Sequence, residues 1–302
     1  MKISFLQGKK KLMTLALTVG FAVALAGCGQ EGTVDGDASI GAQVNYQITG
    51  IDPGAGLMRA TDRVLEEYEL DGWRVQTGSG PAMTAALTRA YNNEEPIIVT
   101  GWTPHWKFSK FDLKYLDDPK GIYGDEEFVH TIVRLGLKDD HPAAYEVLDR
   151  FAWTPDDMAS IMVMVEDGMQ PTEAAASWIA DNAETVATWT EGVEAVDGDR
   201  LTLAYVAWDS EIASNNVIAQ VLETVGYDVT LRQVEPGPMW AGVADGSADA
   251  MVAAWLPTTH ADYYSEFEGR FEDLGVNMVG TRIGLVVPAY MDIDSIEDLN
   301  SK

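Results

Sequence analysis

The sequence predicts a two-lobed α/β protein. Each lobe is a doubly wound β-α-β-α-β sheet, and the ligand site lies in the cleft between them. Three observations predict this. Two stretches, Asn45 to about His105 and Arg200 to His260, run through the same order of elements. In both, apolar runs of strand length alternate with helical patterns, as parallel strands joined by crossover helices require. Gly80-Pro81-Ala82-Met83 and Gly237-Pro238-Met239-Trp240 also stand at matching places in the two stretches.

The chain has 302 residues, enough for two such lobes and a substantial core. Residues 1–27 read as a lipoprotein signal peptide. Lys2, Lys9, Lys10 and Lys11 form its basic region, Leu12 to Ala26 its apolar region, and Leu25-Ala26-Gly27-Cys28 resembles a bacterial lipoprotein box. The apolar region, about 15 residues, is short of the roughly 20 that a transmembrane helix needs. Cys28 is the single cysteine, so an intrachain disulfide is excluded and a lipid is its expected partner. Several acyl chains there would give stable membrane anchoring. Residues 28–43, rich in Gly, Asp and Ser, read as a flexible tether.

The first lobe is expected over 44–130, completed by 287–302. YQITGID reads as a strand. PGAGLMRATDRVLEEY follows as a helix, with Leu57, Ala60, Thr61, Val64, Leu65 and Tyr68 at helical spacing. WRVQTG is a second strand, GPAMTAALTRAYNN a second helix and IIVTGW a third strand. The second lobe is expected over 131–286 and includes a helical segment, 139–190, with Thr and Pro at its helix starts. Its sheet begins with the strand LTLAYVAW. A helix follows from Ser214 to Val225, with Ile218, Val221, Leu222 and Val225 on one face and Gly226 as its stop. YDVTLRQV is then a strand, GPMWAGVADG a helix and AMVAAW a strand. RIGLVVPAYMDIDSIEDL adds a last strand and a polar tail.

Charge and composition exclude several functions. The formal net charge is −28, and removal of the four signal lysines, with no acid, takes it to about −32. Such a surface repels nucleic acid and anionic membranes; it suits a solvated protein in high external salt. His105, His130, His141 and His260 show no metal-ligand spacing, and no Gly-x-Ser-x-Gly elbow is present. The chain offers no nucleophile-and-base arrangement, and no enzyme activity is expected.

A binding site is better supported. Trp102, Trp208 and Trp255 close the apolar strands IIVTGW, LAYVAW and AMVAAW. Ligands of open α/β sheets bind beyond the carboxyl ends of the strands. One of these tryptophans comes from the first lobe and two from the second, so facing sheets would bring all three to the cleft. A single tryptophan in such a place reads as a core residue capping a sheet. Three at equivalent ends, flanked by Gly101, Thr103, Pro104, Asp209, Ser210, Leu256 and Pro257, read as the walls of a site. Trp73, Trp106, Trp153, Trp178, Trp189 and Trp240 lie in helical or strand patterns and read as packing residues.

Several indole faces around one point suit a cation that cannot hydrogen-bond. Each face contributes about 0.5–1 kcal/mol when exposed and about 2 when desolvated. A quaternary ammonium fits; a primary ammonium would leave three donors unpaired. The turn Ile51-Asp52-Pro53-Gly54-Ala55-Gly56-Leu57 leads from a strand into a helix, where backbone N–H groups bind anions. It has neither a Gly-Lys-Ser/Thr sequence nor the three-glycine dinucleotide spacing, and a small carboxylate suits it. His260, five residues beyond Trp255, could add a hydrogen bond; without that neighbour it would read as a surface histidine.

GWTPHWKF, DLKYLDDPKGIYG, YVAWDSEIAS, GPMWAGVADGSADA, AWLPTTH and GLVVPAYM together resemble the glycine betaine-binding lipoproteins of ABC importers, the OpuAC type, from about Tyr46 to Leu299. The resemblance implies a periplasmic-binding-protein type II fold. It implies a protein lipid-anchored on the extracellular face of the cell membrane of a Gram-positive-like cell. Such a protein delivers glycine betaine and related compatible solutes to a permease with its ATPase, for osmoprotection. It further implies an aromatic cage of Trp102, Trp208 and Trp255, with the ligand carboxylate on the N–H groups of Gly56 and Leu57 and on His260. The family often has Ile where Leu57 stands, which a backbone contact tolerates. No cofactor or metal is expected, and a monomer is. A sensor component for choline- or carnitine-like solutes would use the same pocket, and the sequence leaves that alternative open.

Overall fold

The computed structural model describes residues 39–300; the signal segment and Cys28 lie outside them. Ile40–Gln43, within the expected tether, form one helical turn (α1), capped by Ser39 and closed on Tyr46, whose ring leaves Gly41 no room for a side chain. The first repeat follows as β1 (Gln47–Thr49), α2 (Gly56–Glu67), β2 (Arg74–Gln76), α3 (Gly80–Asn92) and β3 (Val99–Thr103). Then come α4 (Lys107–Lys110), β4 (Leu113–Tyr115) and β5 (Glu127–Arg134). The helical segment is α5 (Leu137–Asp140), α6 (Pro142–Arg150), α7 (Pro155–Glu166), α8 (Pro171–Asp181) and α9 (Ala183–Thr190). The second repeat is β6 (Arg200–Tyr205), α10 (Asp209–Val225), β7 (Asp228–Gln233), α11 (Pro236–Asp245) and β8 (Ala250–Leu256). Helix α12 (Ala261–Glu266), the long strand β9 (Phe271–Pro288) and a 3-10 turn at Ile296–Asn300 complete the described chain.

The expected α/β architecture of two β-α-β-α-β repeats is the one observed. β1 pairs in parallel with β2 and β3, and β6 in parallel with β7 and β8. Both repeats therefore have their first strand in the middle, as the shared element order predicts. One strand joins them. β9 pairs antiparallel with β5 through Phe271–Thr281 and with β3 through Arg282–Val286, so the sheet order runs β2-β1-β3-β9-β5-β8-β6-β7.

Local chemistry explains the helix ends. Thr154 and Asp157 form a capping box at the start of α7, with Pro155 at its first position. α10 stops at Gly226, whose φ of 112° is in the left-handed region. α10 also begins earlier than its apolar spacing predicts, at Asp209. Asp209 in its first turn suits the positive end of the helix dipole.

The helical segment is held by an aromatic stack: Trp178 lies on Trp189 at 6.1 Å, and Phe151 meets Trp189 edge-on at 5.0 Å. Trp153, Trp178 and Trp189 are thus packing residues. Among the described residues no helix is long and apolar enough to cross a membrane.

Candidate functional site

The carboxyl ends of the two repeats meet around one cavity. Its walls are Ile51, Ala55, Leu57, Trp102 and Ile283 on one side, and Trp208, Ser210, Trp255 and Thr259 on the other. Its empty volume is about 330 Å³. No carboxylate, amine or guanidinium is among the lining residues; Ser210 and Thr259 supply the side-chain hydroxyls. The surroundings of a ligand head would therefore be indole and aliphatic carbon.

Each tryptophan is placed by a different device. Trp102 is a residue of β3 itself, opposite Ile283 on β9, so both side chains reach the cavity from one sheet face. Trp208 lies past the end of β6, as the N-cap of α10 in extended conformation. Its indole Nε1–H donates to Asp52 Oδ2 at 2.8 Å. Asp52 lies in the turn before α2, so this bond crosses from one repeat to the other. Trp255 belongs to β8. Its backbone N–H donates to His260 Nδ1 at 3.0 Å, and the His260 N–H returns a bond to the Trp255 carbonyl at 2.9 Å.

Four of the predicted residues, Leu57, Trp102, Trp208 and Trp255, line the cavity; Gly56 and His260 are not among its lining residues but adjoin Leu57 and Thr259, which are. Gly56 opens α2, and its N-cap Ala55 offers no side-chain acceptor. The first N–H groups of a helix have no intrahelical acceptor. Gly56 is pressed against the opposite repeat: a Cβ there would stand 1.5 Å from the Thr259 carbonyl oxygen. His260 is fully buried. Since Nδ1 accepts from Trp255, the proton resides on Nε2, which has no partner among the described residues. Burial, and then the nearby Arg59 charge, pull its pKa down to about 3, so the ring is neutral and a donor at physiological pH.

Several contributors were not legible beforehand. Glu127, a buried residue of β5, accepts hydrogen bonds from the Thr258 N–H at 2.9 Å, the Thr259 N–H at 2.6 Å and the Thr259 hydroxyl at 2.5 Å. It thereby fixes the loop that carries Thr259 and His260. Asp209 accepts from Trp106 Nε1 at 3.2 Å, again across the repeats. Trp106 is therefore more than the packing residue its pattern indicates. His105 Nε2 lies 3.2 Å from the same Asp209 oxygen, in contact but out of line for a well-formed hydrogen bond. Burial raises the Asp209 pKa, but His105, Trp106 and the Lys107 charge outweigh that and hold it below the usual range. At the rim, Arg59 pairs with Asp262 at 2.9 Å and Tyr263 donates to the Gly54 carbonyl at 2.9 Å. These partners come from distant segments, and the sequence signal for them was limited to the Asp-Pro-Gly and Pro-Thr-Thr turns.

Comparison with known proteins shows the family to which the chain belongs. The OpuAC family, described as the substrate binding domain of ABC-type glycine betaine transport system, matches residues 34–181 and 199–302. The chain is 55% identical over 296 residues to the glycine betaine/carnitine transport binding protein GbuC of Listeria monocytogenes serotype 1/2a (strain 10403S), covering 97% of this chain and 99% of that one. Among solved structures it resembles lactococcal OpuAC in its closed-liganded conformation with glycine betaine, at 46% identity and a TM-score of 0.48, over 51% of this chain and 61% of that one. It also resembles the glycine betaine, L-proline transporter's binding protein (ProX) of Borrelia burgdorferi, at 36% identity and a TM-score of 0.47, over 50% of this chain and 58% of that one. Both structures are matched over less than two thirds of their length.

Proposed function

The chain belongs to the family of substrate-binding domains of ABC-type glycine betaine transport systems, and from that premise we propose that it captures glycine betaine outside the membrane and delivers it to an ABC permease for osmoprotection. The observation that carries the reading is the convergence of Trp102, Trp208 and Trp255, drawn from both repeats, on one cavity without a lining carboxylate. A trimethylammonium head has no hydrogen to donate and is held by ring faces. The ligand carboxylate goes to the free N–H groups of Gly56 and Leu57 and to the Nε2–H of His260. Carnitine carries the same two groups and is a further candidate. Bound ligand touches both repeats at once, so it favours the form in which they are closed together. That form is the one the permease would receive.

Calorimetric titration with glycine betaine and choline tests the reading. Choline shares the head but has no carboxylate, so the donors it leaves unpaired cost about 1–3 kcal/mol each. Choline therefore binds at least about tenfold more weakly, and His260→Ala narrows the gap by weakening betaine alone. Failure of every quaternary ammonium to bind would overturn the cage. Equal affinity for the two ligands would overturn the carboxylate site.

The same proposal places the protein on the extracellular face of the membrane through lipid on Cys28. Cys28→Ala releases the protein to the medium or leaves it unprocessed. A Cys28→Ala protein that stays membrane-bound with a normally cleaved N-terminus contradicts the anchor.

A further inference from the structure

Behind the cage stands a lysine that the binding site does not account for. Lys107 is fully buried. Its Nζ lies 4.4 Å from the centroid of the Trp102 ring and 5.1 Å from that of Phe108. Its hydrogen bond goes to the Trp102 carbonyl, at a long 3.4 Å. Among the described residues no carboxylate forms an ion pair with it. Trp102 lines the cavity and Lys107 does not. The amine thus sits over an indole that lines the cavity without lining it itself, while a ligand cation meets the same indole from within the cavity.

One indole cannot favour two cations equally. Its ring attracts both, but they repel each other through a region of low dielectric, where Coulomb interactions are strong. We propose that Lys107 is a positioning residue of the quaternary-ammonium site, whose ammonium gives up a proton when a ligand cation settles on Trp102, so that affinity is coupled to pH. The inference rests on the proposed function. In the step, one N–H bond of the ammonium breaks, the electron pair remains on Nζ and the proton passes to the buffer.

The surroundings are consistent with such a step. Burial lowers the Lys107 pKa well below the usual lysine range, with Asp209 opposing. The titratable and charged groups around it are His105, two residues before it, and Asp209 from α10. One ring further out are Tyr115 of β4, stacked on Phe108, and Arg282 of β9, over Tyr115. Burial, followed by the Lys107 charge, lowers His105 to about 4, and Asp209 is held below its ordinary range. Neither titrates in the neutral range. The sign follows from linkage: ligand prefers the amine, so the lysine pKa falls further on binding. Affinity is flat at low pH, rises between the bound-state and free-state pKa values, and is flat again above both.

Calorimetry with glycine betaine between about pH 5 and 10, in buffers of different ionisation enthalpy, spans the range in which a perturbed lysine titrates. The wild type is expected to release up to about one proton per ligand, with Kd falling by at most about tenfold per pH unit. Lys107→Met, which keeps the bulk and loses the charge, is expected to bind with a pH-independent Kd and no buffer-dependent heat. A wild type that binds with no proton release at any pH overturns the inference, and so does a Lys107→Met protein with the wild-type pH profile. If Lys107→Met does not fold, Lys107→Gln takes its place, and the wild-type proton count stands on its own. Absence of glycine betaine binding at every pH would instead count against the proposed function; binding with a flat profile counts against this inference alone.

Discussion

Trp208 shows how single residues make the site work. Its Nε1–H is anchored on Asp52, and in the proposed cage a ring held by its edge would present a face to the cation. Trp255 is held by its backbone instead, through the reciprocal bonds with His260. Replacing Trp102, Trp208 or Trp255 by Ala is expected to cost roughly 1–3 kcal/mol of glycine betaine binding each, with little loss of folding. Replacement by Phe costs less, since a ring face remains. Titration of the six variants beside their unfolding curves decides it: equal losses for Phe and Ala, or unfolding with unchanged affinity, would make these core residues. The three tryptophans were legible in the sequence because each follows a short apolar run, a local pattern. Asp52 was not, because it stands 156 residues from the indole it orients and only the folded chain brings the two together.

At the scale of elements, buried acids explain both what was legible and what was not. The repeated β-α-β-α-β order could be read because its strands and helices follow simple apolar periods. β5 could not, because its buried face includes Glu127 and Thr131 beside Val129 and Val133, which spoils the alternation. β9 reads as a strand only from Arg282, yet begins at Phe271. Gly275 and Gly280, both at positive φ, look like breakers but sit within its pairing to β5, which shifts register along its length. Glu211, in the first turn of α10, makes a second buried-acid case. Its Oε2 accepts from the Val206 N–H at 2.6 Å, while Oε1 has no partner among the described residues. Burial raises its pKa from 4.5 to about 8, and the bond from Val206 opposes this only in part. Between those two values the folded chain holds a proton that the unfolded chain has lost. Glu211 therefore removes stability as pH rises from about 4.5 to about 8, with no further change above. Glu211→Gln keeps the acceptor and cannot ionise. The stability of the variant relative to wild type, from denaturant unfolding at a series of pH values, is expected to rise across that window. A difference that stays constant with pH would show that Glu211 does not carry a proton there.

At the scale of the whole molecule, the two repeats are held together by contacts that cross between them: Trp208 to Asp52, Trp106 to Asp209, Arg59 to Asp262 and Tyr263 to Gly54. Gly56 is also packed against the Thr259 carbonyl. Alanine at the first turn of a helix is ordinarily tolerated, and Gly→Ala often stabilises by about 0.4–1 kcal/mol through the unfolded state. Here the added methyl would stand 1.5 Å from a backbone oxygen of the other repeat, far inside van der Waals contact, and neither partner is a flexible side chain. The two repeats would have to separate, drawing Leu57 away from Thr259 and opening the cavity that both line. Each repeat keeps its own strands. Gly56→Ala is therefore expected to leave ligand-free stability within about 1 kcal/mol of wild type and to weaken glycine betaine binding by more than about tenfold. A bound ligand stabilises a protein in proportion to the logarithm of its concentration over Kd. Thermal unfolding with and without glycine betaine reads both effects at once: a normal midpoint without ligand and a reduced upward shift with it. A Gly56→Ala protein with the full wild-type shift would mean that binding does not require this approach of Gly56 to Thr259. One with a much lower ligand-free midpoint would mean that Gly56 serves the fold of its own repeat before it serves closure.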